Sequence, residues 1–72
     1  MTFDVEADLM RRVRIVQDDE STIGLMSTGE RIAVALVLDR KDLLEWGTML
    51  ECVERLGSQW FKAALKVQRR IL

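Results

Sequence analysis

The stretch Ser27-Thr28-Gly29-Glu30-Arg31-Ile32-Ala33-Val34-Ala35-Leu36-Val37-Leu38 decides the fold of this chain. A hydroxyl residue followed three positions later by glutamate is a helix-start signature. The Ser27 hydroxyl can accept from the N–H of Glu30, and the Glu30 carboxylate can reach back to the N–H of Ser27. The signature opens onto seven uninterrupted apolar residues, Ile32 to Leu38. A helix that is apolar on every side belongs at the centre of a bundle. The sequence therefore predicts a central, most buried helix over Thr28–Leu38.

The same signature recurs at Thr48-Met49-Leu50-Glu51. It predicts a helix over Met49–Leu56, with Met49, Cys52, Val53 and Leu56 on one face and Glu51, Glu54 and Arg55 outside. Gly57 stands where a left-handed C-cap belongs. Ser58 then caps a last helix, Gln59 to about Ile71. Its stripe is Trp60, Ala64, Val67 and Ile71, flanked by Phe61, Leu65 and Leu72. Between the two signatures, Asp39 is expected to cap a short helix, Arg40–Trp46, that Gly47 ends.

Upstream of Ser27 the pattern is ambiguous. Apolar residues at positions 3, 5, 7, 9, 13 and 15 alternate as in a strand. Yet Asp4, Glu6 and Asp8 come first and Arg11, Arg12 and Arg14 last, the order a helix macrodipole favours. Asp8 also meets Arg11 and Arg12 at helical spacing. A helix over Phe3–Gln17 is the reading, with a hairpin of Arg12–Val16 and Thr22–Met26 as the alternative. Asp18-Asp19-Glu20-Ser21 reads as loop. The expected architecture is all-α: one domain over residues 1–72, a compact small bundle of four to five short helices with its core in 27–72.

Composition bounds the rest. Seventy-two residues bury only about 60% of their unfolded surface, a narrow basis for stability. A single Cys cannot form an intrachain disulfide, and with no His a structural zinc lacks its usual ligands. Dense helix packing and oligomerisation remain as stabilising routes, and a homodimer is expected. The longest apolar run falls far short of the ~18 residues of a membrane span. Acids precede any basic residue, unlike a signal peptide. The expectation is a cytoplasmic protein without membrane association.

The candidate chemistry is sparse. Without His the commonest general base near neutral pH is missing, and Cys52 falls on the inner face of its helix, where a thiol acts as a small hydrophobe. Neither catalysis nor a cofactor is expected. Counting from Asp19 places Ser21, Gly24 and Glu30 at calcium-loop positions, but Ile23 occupies one that needs an oxygen ligand, and Glu30 is already used in capping. No metal site is expected.

Binding remains. Trp46, Trp60 and Met49 are candidate contacts to a protein partner or a second copy, since Trp anchors interfaces and Met adapts to them. The alternative is nucleic acid. Residues 1–39 hold eight acids and four bases, whereas residues 40–72 hold seven bases and four acids. Met49–Leu56, Gly57 and Ser58–Ile71 form a helix-turn-helix-like segment. Its second helix carries Lys62, Lys66, Arg69 and Arg70, which could neutralise phosphates. Against this, Trp60 and Phe61 occupy the front of that helix, where polar base-readers belong.

Residues 27–40, the stretch quoted first with Asp39-Arg40 after it, and residues 48–57, Thr48-Met49-Leu50-Glu51-Cys52-Val53-Glu54-Arg55-Leu56-Gly57, resemble small uncharacterised proteins of bacteria and their prophages or plasmids, over roughly residues 27–61. The matching positions are capping and core positions, so they speak to a shared fold. The resemblance implies an accessory role in a bacterial mobile element, carried out by binding a host protein or DNA.

Overall fold

The computed structural model describes residues 4–44 and 48–71, apart from the side chain of Met49. Among these, the chain forms four α-helices and two 3-10 turns, with no strand. The all-α bundle is therefore as expected.

α1 runs Val5–Asp18. Asp4 caps it, its carboxylate accepting from the N–H of Ala7 at 3.1 Å. Val5, Leu9, Val13 and Val16 are buried at spacings of four, four and three, which put them on one helical face. Ala7 and Ile15 lie on the exposed side, and they produced the strand-like alternation; Met10 packs half-buried against the core. The hairpin alternative does not form. Arg12–Val16 is helical, and Thr22–Leu25 belongs to a 3-10 turn over Glu20–Leu25. The expected loop at Asp18–Ser21 is also corrected. Asp18 closes α1, and Asp19 caps the turn, its carboxylate accepting from the Ser21 N–H at 3.1 Å and the Ser21 hydroxyl at 2.7 Å. Ile23 is buried beneath the turn.

α2, Thr28–Val37, opens with the complete capping box. Ile32, Ala33, Val34, Ala35 and Val37 are buried, and the helix packs against α1 on one side and the C-terminal helices on others. This is the central helix. A salt bridge from Arg12 to Glu30 at 2.7 Å ties α1 to its start. Arg12 also pairs with Asp8 at 2.8 Å. Burial works to raise the Asp8 carboxyl, but hydrogen bonds from Arg12 and Arg11 and their charges outweigh it and hold the group below its ordinary value.

Asp39 does not cap a following helix. It adopts φ +54° and ends α2. The N–H of Asp39 donates to Leu36 O at 3.2 Å and that of Arg40 to Ala35 O at 2.9 Å, the paired bonds of a Schellman motif. Asp tolerates the left-handed region better than most residues but less well than Gly, and its charge opposes the helix dipole here. Asp39→Gly relieves this strain and the charge–dipole repulsion but frees the unfolded chain, and the net is expected to stabilise the domain by about 0.5 kcal/mol, read as a raised urea midpoint. A lowered midpoint would show that the Asp39 side chain contributes to the turn.

The expected helix Arg40–Trp46 is replaced, in its described part, by a 3-10 turn at Lys41–Leu43 followed by extended Leu44. Trp46 and Gly47 lie outside the described residues. Leu43 is buried, and its carbonyl accepts from Arg31 Nε at 3.1 Å. Arg40 reaches Glu20 and Asp42, each at 2.7 Å. Hydrogen bonding to Arg40 lowers the Asp42 carboxyl, and the two carboxylates raise Arg40.

α3 runs Met49–Leu56, and the Thr48 hydroxyl accepts from the Glu51 N–H at 3.2 Å. α4 runs Ser58–Ile71. Ser58 is thus inside the helix, not its N-cap. Gly57 takes that place, its carbonyl accepting from the Phe61 N–H at 3.0 Å. One residue both ends α3 and begins α4. It has φ +84° and ψ 163°, positive in φ as expected of a C-cap but extended in ψ. α4 makes its most extensive contact with α1. Arg70 of α4 pairs with Glu6 of α1 at 3.3 Å, so the end of α4 lies beside the start of α1.

Candidate protein-binding surface

α4 buries a narrow arc. Ala63, Ala64 and Val67 are buried, and Trp60 and Ile71 pack half-buried against the core. Phe61 and Leu65, one turn apart, lie just off this arc and remain 39% and 38% exposed. α3 is similar. Cys52 and Leu56 are buried, Val53 is half-buried, and Leu50, one turn before Val53, is 82% exposed. The two off-core rows meet at a groove of about 170 Å³, lined by Leu36, Val53, Phe61, Ala64, Leu65 and Gln68.

The groove has a defined end. Gln68 Nε2 donates to Leu36 O at 3.4 Å and Val37 O at 3.2 Å. Both are carbonyls of the last turn of α2, and Leu36 O also accepts from the Asp39 N–H. Gln68 thereby fixes α4 against α2 beside Leu65. The hydrogen bonds span 31 or 32 residues, so no local pattern announces them.

Charge flanks the apolar rows asymmetrically. On the α3 side lie Glu54, one turn beyond Leu50, and then Glu51. On the α4 side, Lys62 and Arg69 flank Leu65 at helical spacing, with Lys66 beyond. All five are exposed, and none makes an ion pair with a described residue.

The residues singled out in the sequence fall as follows. Trp60 is half-buried on the core, while Trp46 and the Met49 side chain lie outside the described residues. Lys62, Lys66 and Arg69 stand together on the outer side of α4, and Arg70 turns away to Glu6. Cys52 is buried. At the calcium-like spacing, Glu30 Oε1 accepts from the Ser27 N–H at 3.0 Å and Oε2 pairs with Arg12 at 2.7 Å. Among the described residues, no group of three or more metal-ligating side chains gathers. No helix of the described residues is long and apolar enough to cross a membrane. Leu50, Phe61 and Leu65 were not among the candidate contacts. Their signal was present, since Leu50 belongs to neither face assigned to its helix and Phe61 and Leu65 flank the stripe of theirs.

Comparison with protein-family models, with curated proteins and with solved structures finds no match for this chain.

Proposed function

We propose that this chain is a small, non-enzymatic protein-binding module that works through the α3–α4 face. The observation that carries the reading is the gathering of apolar surface. Of the five large apolar residues exposed among the described residues, Phe61 and Leu65 line the groove and Leu50 stands one turn before Val53, which also lines it. Scattered exposed apolar residues are ordinary, but a contiguous patch with a polar rim marks a contact surface. The groove admits an apolar side chain, and Phe61 supplies the aromatic contact on which interfaces draw. Trp46 and Met49 stay in the proposed contact set on their residue types alone. The resemblance of residues 27–61 would make this an accessory protein of a bacterial mobile element, acting in the cytoplasm.

A photo-crosslinking phenylalanine analogue at position 61 tests the reading in the cells that make the protein. A covalent adduct to a polypeptide, absent when the analogue replaces exposed Gln17 on α1, is the expected result. Equal labelling from both positions would overturn it.

The row Lys62, Lys66 and Arg69 favours a second reading, a nucleic-acid-binding regulator. Exposed cations without ion-pair partners among the described residues suit phosphate contact. The one-residue corner at Gly57 is tighter than the three- to four-residue turn of DNA-reading motifs, and Arg70 is engaged by Glu6. Both favour the protein-binding reading. Anisotropy of labelled duplex DNA separates the two, since a phosphate-driven complex must weaken steeply with salt.

A further inference from the structure

The α3–α4 face is bounded by acids on one edge and bases on the other, and this arrangement is self-complementary. Glu54 and Glu51 edge the apolar rows on α3, and Lys62, Arg69 and Lys66 edge them on α4. A two-fold axis lying along the groove maps each edge onto the position opposite the other. The acidic edge of one copy then faces the basic edge of its partner, and the apolar rows meet between them. A two-fold axis across the groove would instead set acid against acid and base against base. Charge therefore selects one pairing of the same patch with itself, the isologous arrangement of a closed dimer.

We infer that the occupant of this face is a second copy of the chain, joined through Leu50, Val53, Phe61 and Leu65, with Glu54 of each copy facing the Lys62–Arg69 edge of the other. This rests on the protein-binding reading above and names its partner. A stable interface buries about 800 Å² per partner, roughly a sixth of the 4997 Å² surface of the molecule. The groove alone is too small for that, so both apolar rows and both charged edges take part. The dimer also lengthens the core of a domain whose size limits its stability.

Analytical ultracentrifugation of the full chain across micromolar to millimolar concentration tests the inference. Wild type is expected at twice the chain mass of 8.3 kDa. Leu65→Asp, at a position already 38% exposed, is expected to weaken association at least about 30-fold with an unchanged helical circular dichroism spectrum. Glu54→Lys is expected to weaken it about five- to tenfold, because symmetry introduces the clash twice. Adding Lys62→Glu to Glu54→Lys restores much of the loss, which a merely unfolded variant would not do. A wild-type monomer at millimolar concentration overturns the inference. A dimer indifferent to Leu65→Asp does so too, by placing the interface elsewhere. Crosslinks from position 61 to a different polypeptide, with a monomeric wild type, would refute the dimer and leave the protein-binding reading standing. Loss of those crosslinks as well would refute both.

Discussion

Leu9→Ala is expected to remove about 2–5 kcal/mol of stability. Leu9 is fully buried in the middle of the α1 stripe, the face that meets α2 and α4. Helices that already fill the space on either side cannot collapse into the void, so the lost transfer energy is joined by a cavity term. For a domain of this length the whole stability is about 4–11 kcal/mol. The substitution removes a large part of it, and the melting temperature should fall by about 10 °C or more. Urea unfolding followed by circular dichroism is the check: the midpoint drops while the slope stays the same. Leu25→Ala is the matched control. At 89% exposure, and away from the α3–α4 face, the same chemical change should stay within about 0.5 kcal/mol. Equal losses at both positions would mean that Leu9 does not pack as described.

What could be read from the chain follows the range of the interactions that fix each feature. The starts of α2 and α3 were legible because Ser27–Glu30 and Thr48–Glu51 satisfy helix ends with groups three residues away. α1 was legible in part. Val5, Leu9, Val13 and Val16 carry a helical period, but Ala7 and Ile15 overlay an alternating one on it. The balance was tipped by charge order and by the helical spacing of Asp8 and Arg12; their pair at 2.8 Å bears out the spacing, whereas the last turn of α1 holds no base. The end of α2 was misread because Asp suits both an N-cap and the left-handed residue after a helix. The bonds that decide between them, from Asp39 and Arg40 back to Leu36 and Ala35, are set by where the chain must turn. Gln68 could not have been found, since its partners lie on another helix. The candidate surface was half legible. Surplus apolar residues on α3 and α4 can be counted in the sequence, but whether a neighbour covers them depends on how the helices meet.

How α3 and α4 meet rests on Gly57, and Gly57→Ala is expected to cost about 1–3 kcal/mol. At φ +84° and ψ 163° the residue occupies a region that is essentially restricted to glycine. A Cβ at this position would meet no other atom within 4 Å, so the penalty comes from the backbone alone. An L-residue must either bear the strain or rotate toward negative φ. Rotation swings α4 about its first residue, because the Gly57 carbonyl also begins that helix through its bond to Phe61 N. Either outcome lowers the melting temperature, and rotation also parts Val53 from Phe61 and Leu65 and weakens association. A chain this short is accessible to chemical synthesis, which permits a sharper comparison. D-Ala at position 57 prefers positive φ and reduces the freedom of the unfolded chain, so it should match or exceed wild-type stability where L-Ala falls below it. Equal melting temperatures for the two enantiomers would show that the corner is not held at positive φ in solution. The opposite signs expected from a single inverted centre, with no neighbouring atom in reach, isolate backbone conformation as what sets the angle between α3 and α4.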